Sequence, residues 1–295
     1  MRIGALEAGG TKMVCAVGDE NGKLEKKVSF PTKTPEETMP VLLDFFEEQK
    51  VEAVGIGCFG PIDLNQKSPT YGCITSTPKL AWANYNIVDA FEKKLGVPIG
   101  FDTDVNGAVL GEVCFGAAKG CESAVYITIG TGVGVGVYVN GGLLHGLLHP
   151  EAGHVLVARA SEDTYAGKCP YHPNCLEGLA AGPAIMERWG KPASELAECE
   201  EVWELESYYI AQAVTNYILT LSPQKVILGG GVMHQEQLFP LIRAKVVKML
   251  NGYVRHNAVI EEIDHYIVPP MLGDEPGIKG ALVLGRNAGH KIIKQ

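Results

Sequence analysis

LEAGGTK, residues 6–12, and IGTGVGVG, residues 129–136, decide how this chain folds. Each reads as a strand that runs into a glycine turn and out into a second strand. Glycine tolerates positive φ and lets backbone N–H groups approach an anion closely, and Thr11 and Thr131 add a hydroxyl beside those groups. One such turn says little, because any tight turn recruits glycine. Two of them, at the same place in two halves of one chain, point to a duplicated architecture whose facing hairpins could grip a polyphosphate from both sides.

The flanking sequence supports the duplication. RIGALEA, MVCAVG and KLEKKVSF read as a three-strand meander, with Asn21-Gly22 as a hairpin signal. PEETMPVLLDFFEEQK has helical spacing, VEAVGIG is a buried strand, and residues 60–86 are rich in Gly, Pro and Thr. VPIGFD is another strand, and a helix starts at Asp104. In the second half SAVYITIG, VGVYVN and HVLVAR repeat the meander. Helices follow around LEGLAAGPAIMERWG and SYYIAQAVTNYILTLS, then the strand KVILGGGV, a helix over 237–250, the short strand HYIVPP and a closing helix in PGIKGALVLGRNAG. The expectation is an α/β protein of two similar domains with a cleft between them. One spans 1–118 and is completed by a C-terminal helix over 278–295. The other spans 119–277.

Composition narrows the function. With 46% hydrophobic residues in 295, the chain can bury a large core. A net charge of −9, a pI near 5.4 and the lack of a basic block exclude a nucleic-acid binder. MRIGALEAGG lacks the apolar run of a signal peptide. Residues 123–150 carry no charge, but seven glycines, Asn140, two histidines and strand-like alternation exclude a bilayer helix. A cytoplasmic protein with neither nucleic-acid nor membrane partners is expected.

Six of the eight cysteines (Cys15, Cys58, Cys73, Cys114, Cys121 and Cys199) are scattered as small core hydrophobes. Cys169 and Cys175 instead flank His172 in GKCPYHPNC, residues 167–175. In a reducing compartment that loop holds a metal rather than a disulfide. It supplies three of the four ligands of tetrahedral Zn²⁺, and His145 and His149 are nearby sources of the fourth.

The third glycine run, Gly229-Gly230-Gly231, ends a strand and opens a helix, another anion-facing position. Neither G-x-G-x-x-G nor G-x-x-x-x-G-K-[ST] is present, so a dinucleotide-binding Rossmann fold and a P-loop are both excluded. Asp104, at the carboxyl end of VPIGFD, is either a helix cap or a general base.

LEAGGTK, FDTDVNGAVLGE, IGTGVGVG, PEAGH, CPYHPNCLEG, ILGGGV and PGIKGA, in this order over nearly the whole chain, resemble the ROK family of sugar kinases, and within it the bacterial zinc-containing fructokinases. The resemblance implies the actin/hexokinase-type ATPase fold with two ribonuclease H-like domains. It implies transfer of the γ-phosphoryl group of Mg²⁺-ATP to D-fructose. Mannose, glucose or an N-acylhexosamine is the alternative acceptor, and a non-catalytic sugar-sensing regulator the alternative class. A metal-stabilised structural protein would leave the glycine hairpins unexplained. The first phosphate strand begins at residue 2, so no DNA-binding domain is expected ahead of it.

By the same resemblance Asp104 is the base, oriented by Asn106 or Asp102. ATP is held by Gly9, Gly10, Thr11 and Lys12 of the first hairpin and by Gly130, Thr131 and Gly132 of the second. Pro183 and the run Gly230, Gly231, Val232, Met233, His234 and Gln235 complete the nucleotide set. The hexose is held by Asn84, Glu151, His154 and Glu177 together with Asp104. His154 joins Cys169, His172 and Cys175 around a structural Zn²⁺ and pins Glu151 and Glu177. Glu7 stands where much of the wider fold carries Asp, and would reach Mg²⁺ through water. Trp82 is a packing residue. A homodimer is expected.

Overall fold

The structure, a computed structural model, describes residues 1–77 and 79–293. It divides into two compact units. The first is Met1–Gly120 with Leu143–His149 and the chain from Leu272 onward, and the second is Cys121–Gly142 with Pro150–Met271. The segment Leu143–His149 therefore groups with the first unit, although the expected boundary at 118/119 put it in the second. Residues 294–295 of the expected closing helix lie outside the described residues.

In the first unit a meander of β1 (Ile3–Ala8), β2 (Lys12–Gly18) and β3 (Leu24–Pro31) is extended by parallel strands β4 (Ala53–Cys58) and β5 (Ile99–Thr103). The sheet order is β3-β2-β1-β4-β5. Pro35 and the acidic Glu36 and Glu37 open α1 (Pro35–Gln49), as suits the positive end of a helix. α2 (Ile87–Leu95) starts where the Asn86 side chain accepts from the Asp89 N–H and ends at Gly96 in the left-handed region. This helix is not among those expected from the sequence, where it follows directly on the turn-rich stretch 60–86. α3 (Asp104–Phe115) is capped by Thr103, whose hydroxyl accepts from the Asn106 N–H at 3.1 Å.

Alternation along β1 separates two apolar layers. Leu6 and Ala8 pack with Phe46 and Phe91, whereas Ile3 and Ala5 meet Ile278, Ala281 and Leu282 of the closing helix (Pro276–Ile293). That helix lies on α3 with backbone in contact. A Cβ at Gly280 would sit 1.7 Å from the Gly107 carbonyl oxygen, and one at Gly111 2.3 Å from that of Pro276. The two glycines let the helices approach closely enough to fix the start of α3, where Asp104 stands.

The second unit repeats the plan. β6 (Ala124–Ile129), β7 (Val133–Val139) and β8 (Gly142–Leu143) form the meander, and β9 (Lys225–Gly229) and β10 (Ile267–Val268) extend it in parallel, in the order β10-β9-β6-β7-β8. Its helices are α4 (Leu176–Ala180), α5 (Gly182–Trp189), α6 (Glu200–Leu221), α7 (Leu238–Leu250), α8 (Asn257–Ile260) and α9 (Ile263–Tyr266). LEGLAAGPAIMERWG is thus two helices: Ala181 is extended (φ −70°, ψ 156°) between them, and Pro183 stands in the first turn of α5, where its missing N–H costs nothing.

HVLVAR is not a strand. Among the described residues its ladder contact is an isolated bridge between Leu156 and Cys175. Ala152–His154 is a single tight helical turn, and the chain beyond is clipped to the metal-loop residues by Val157 N–H to Asn174 O (3.0 Å) and Leu176 N–H to Val155 O (2.9 Å). The alternation reflects burial against that loop.

Candidate active site

The Asp104 neighbourhood lies entirely in the first unit. Asp104 is the first residue of α3, half-buried, with Oδ1 accepting from the Val105 N–H at 2.9 Å. Thr103 takes the capping role, which leaves the Asp104 carboxylate over the positive end of the helix without being consumed as its cap. Beside it Asp102 is buried and heavily engaged. Its Oδ1 accepts from the Thr103 N–H and from Asn106 Nδ2, both at 2.8 Å, and its Oδ2 lies 2.8 Å from His145 Nε2. The hydrogen bond to Asp102 raises the His145 pKa, with burial opposing. Asp102 and Asn106 thus form one buried network at the base of Asp104.

His145 and His149 are accounted for here and not at a metal. His149 Nε2 accepts from the buried Ile62 N–H at 3.1 Å. The expected first hairpin is a tight turn, with Gly9 N–H donating to Lys12 O and the Thr32 hydroxyl to Gly9 O. Glu7 points from β1 toward the closing helix, where a Cβ at Gly277 would lie 2.8 Å from its carboxyl carbon. Burial raises the Glu7 pKa, the charges of Lys12 and Lys27 oppose, and Asp274 adds to the rise. Asn84 is exposed at positive φ (61°), and Trp82 is a packing residue whose indole donates to Lys33 O at 2.6 Å.

In the second unit three backbone pieces converge on the second hairpin. Gly130 N–H donates to Gly132 O, Gly182 N–H donates to Gly130 O at 2.8 Å, and a Cβ on Gly130 would lie 3.9 Å from Gly231 N. Gly230 has a φ of 90° and passes against the Ile129 backbone, which only glycine permits. Gly130, Thr131, Gly132, Pro183, Gly230 and Gly231 are therefore neighbours. Beyond them in the expected run, Val232 and Met233 have buried side chains, and Gln235 Nε2 donates to Ala193 O at 3.1 Å. His234 is exposed.

The metal ligands come together as expected. One donor atom each from His154, Cys169, His172 and Cys175 lies within 4.8 Å of the others. Cys169 Sγ is 3.8 Å from His154 Nδ1 and 3.6 Å from His172 Nδ1, and Cys175 Sγ is 3.6 Å from His154 Nδ1. A tetrahedral zinc with S and N ligands at their usual bond lengths has S···N edges of about 3.5 Å, so the donor set fits that ion. Burial first, then Cys169, pushes the Cys175 thiol up to about 11, so a metal must displace its proton. Four such donors would fill a tetrahedral coordination sphere, which is compatible with a structural ion.

The glutamates flank this cluster. Glu151 is exposed just before the turn that carries His154, and Glu177 is the second residue of α4, which Cys175 caps through Sγ. Glu177 Oε1 is 3.8 Å from His154 Nε2, while Oε2 accepts from the Val133 N–H at 3.0 Å. The turn itself is pinned from two sides. A Cβ at Gly153 would collide with the Val133 carbonyl at 1.8 Å, and the Tyr217 hydroxyl donates to Ala152 O at 2.6 Å. Tyr217 carried no sequence signal, since one aromatic in a long buried helix looks like any other.

Behind the loop Arg188 forms a second fastening. Its guanidinium reaches Glu206 Oε1 (2.7 Å), Asp163 Oδ2 (3.1 Å) and Leu179 O (2.9 Å), and lies over the Tyr165 ring. Burial pushes the Glu206 carboxyl up to about 8, against the pull of Arg188.

The ROK family profile matches residues 3–288. A Bacillus subtilis protein provisionally named fructokinase is 52% identical, covering 97% of this chain and 96% of its own length. The fructokinase of Pediococcus pentosaceus is 46% identical, with 98% and 99% covered. Among solved structures, the ROK hexokinase of Thermus thermophilus matches the whole of both chains at a TM-score of 0.80 and 26% identity.

Proposed function

The chain belongs to the ROK family, and from that premise we propose that it is an ATP-dependent fructokinase, transferring the γ-phosphoryl group of Mg²⁺-ATP to D-fructose to give fructose 6-phosphate. The observation that supports fructose as acceptor is the similarity to fructokinases of Pediococcus pentosaceus, Streptococcus mutans and Zymomonas mobilis, at 46%, 44% and 41% identity over 98% of this chain.

Phosphoryl transfer to a hydroxyl asks the protein for position, charge compensation and a proton acceptor. Asp104 is the acceptor: half-buried and in the first turn of α3, whose N-cap is Thr103. The Asp102–Asn106–His145 network holds the strand end beneath it. As the hexose oxygen attacks phosphorus, its proton passes to an Asp104 carboxylate oxygen. The Gly9 and Gly130 N–H groups close their own turns, and the other backbone N–H groups of those two turns are suited to the phosphate oxygens, because the turns are fixed before the substrate arrives. Glu151, His154 and Glu177 in the second unit, with Asn84 in the first, are assigned to sugar hydroxyls. His154, Cys169, His172 and Cys175 would hold the zinc, which supplies rigidity to the loop and no step of the reaction. Glu7 is assigned to the Mg²⁺ of the nucleotide through water. The working form is a cytoplasmic homodimer, which size-exclusion chromatography with light scattering checks.

Phosphorus NMR of the product mixture tests the reaction. Fructose 6-phosphate formed from Mg²⁺-ATP and fructose is expected. Fructose 1-phosphate, or ADP without sugar phosphate, would reject the assignment.

A further inference from the structure

We propose that Glu177 is a positioning residue for the nucleotide: its carboxylate ties the Cys/His cluster to the second glycine hairpin, so that the metal loop holds the phosphate turn as well as the sugar glutamates. The proposal rests on the kinase reading and goes beyond it, since that reading gives Glu177 to the hexose alone.

Both carboxylate oxygens of Glu177 face groups of the second unit, one of them in a hydrogen bond. Oε2 accepts from the Val133 N–H at 3.0 Å. Val133 is the residue immediately after Gly130-Thr131-Gly132, and the carboxylate lies against that turn so closely that a Cβ at Gly132 would come 2.7 Å from Oε2. Oε1 faces His154 Nε2 at 3.8 Å. The other nitrogen of the same ring, Nδ1, faces Cys169 Sγ and Cys175 Sγ at 3.8 and 3.6 Å. The line therefore runs from thiolates to imidazole to carboxylate to hairpin amide. A carboxylate behind a metal-binding histidine fixes the ring's tautomer and orientation. Here the same carboxylate has a second oxygen, and that oxygen anchors the hairpin.

Two local features make the anchor firm. Glu177 lies in the first turn of α4, and Cys175, the cap of that helix, is itself one of the four metal-ligand residues. Cys169 packs on the next residue, where a Cβ at Gly178 would meet Cys169 Cβ at 2.9 Å. The side chain that reaches the hairpin is thus mounted on the metal loop and not on a free surface.

A residue that served only the sugar would be silent when no sugar is present, which separates the two roles. Isothermal titration of the metal-loaded protein with Mg²⁺-ADP, without any hexose, is the test. Glu177→Ala is expected to weaken Mg²⁺-ADP about tenfold, the scale of one hydrogen bond to a charged group. Glu177→Gln, which keeps an acceptor for the Val133 N–H, is expected to stay within about threefold of the parent. Glu177→Asp keeps the charge but withdraws the oxygen, so it should follow the alanine variant and serves if that variant fails to fold. Zinc release to a colorimetric chelator should quicken in both the Ala and Gln variants, because both lose the carboxylate behind His154. Parental Mg²⁺-ADP affinity in Glu177→Ala, or in Glu177→Asp where the alanine variant does not fold, would overturn the hairpin link. Unchanged zinc release would overturn the metal link. A parent protein that binds no Mg²⁺-ADP would instead reject the kinase reading itself.

Discussion

Around Asp104 the chain is fixed by backbone laid on backbone, whereas around Glu151, His154 and Glu177 it is fixed by side chains that converge on a loop with little regular structure. In the first region a strand end, a capped helix and two glycine contacts with the closing helix leave little freedom, and each is a feature of ordinary packing. In the second, the chain between β8 and α4 has one tight turn and an isolated bridge, and it depends on the cluster of His154, Cys169, His172 and Cys175, on Arg188 and on Arg159. The Arg159 guanidinium donates to the carbonyl oxygens of Tyr165, Ala166 and Pro173, doing for this loop what a strand partner would do elsewhere. The lesson is that a carboxylate placed by secondary structure needs no cross-link. Side chains on a loop with little regular structure need one.

The comparison can be broken most forcefully at Asp104. Asp104→Asn should lower kcat by about 10²- to 10⁴-fold, the usual weight of a general base, with the melting temperature and Mg²⁺-ADP affinity little changed. Steady-state kinetics with calorimetric melting check this. Next, Cys175→Ser removes one of the four clustered Cys and His donors and the cap of α4 together. Hydrogen exchange should speed up across 150–178 while 99–115 keeps its protection, and the reverse pattern would refute the division between the two regions. The mirror experiment is Gly280→Ala, which drives a methyl into the Gly107 carbonyl. A loss of about 3 kcal/mol is expected by chemical denaturation, with protection lost on α3 and the closing helix but kept across 150–178.

The smallest effect concerns the second fastening. Glu206 holds its proton more tightly folded than unfolded, where its pKa is about 4.3. Its contribution to stability is therefore complete below about 4.3 and is lost as pH rises through about 8. Glu206→Gln should flatten the melting temperature between pH 5 and pH 8. A variant as pH-dependent as the parent would show that Arg188 keeps the carboxylate ionised.

Much of this division was readable in the chain itself. The glycine turns at Gly9-Gly10 and Gly130–Gly132 revealed the duplicated meander because a tight turn leaves a local mark, and Cys169, His172 and Cys175 fit one metal because they are close in sequence. What was misread depends on distant partners. HVLVAR alternates like a strand, yet its neighbours are Asn174 to Leu176. The helix Ile87–Leu95 follows a stretch of turn-forming residues that hid its start. Asp102 with His145, and Tyr217 with Ala152, join residues 43 and 65 positions apart, and no local pattern announces such pairs.

Acceptor choice remains the most direct measure of what this chain does. A coupled ADP-release assay with Mg²⁺-ATP, run on fructose, mannose, glucose and N-acetylmannosamine, should give its highest kcat/KM with fructose and show that rate abolished by Asp104→Asn. A higher kcat/KM for any of the other three sugars, or turnover by Asp104→Asn close to that of the parent, would contradict it.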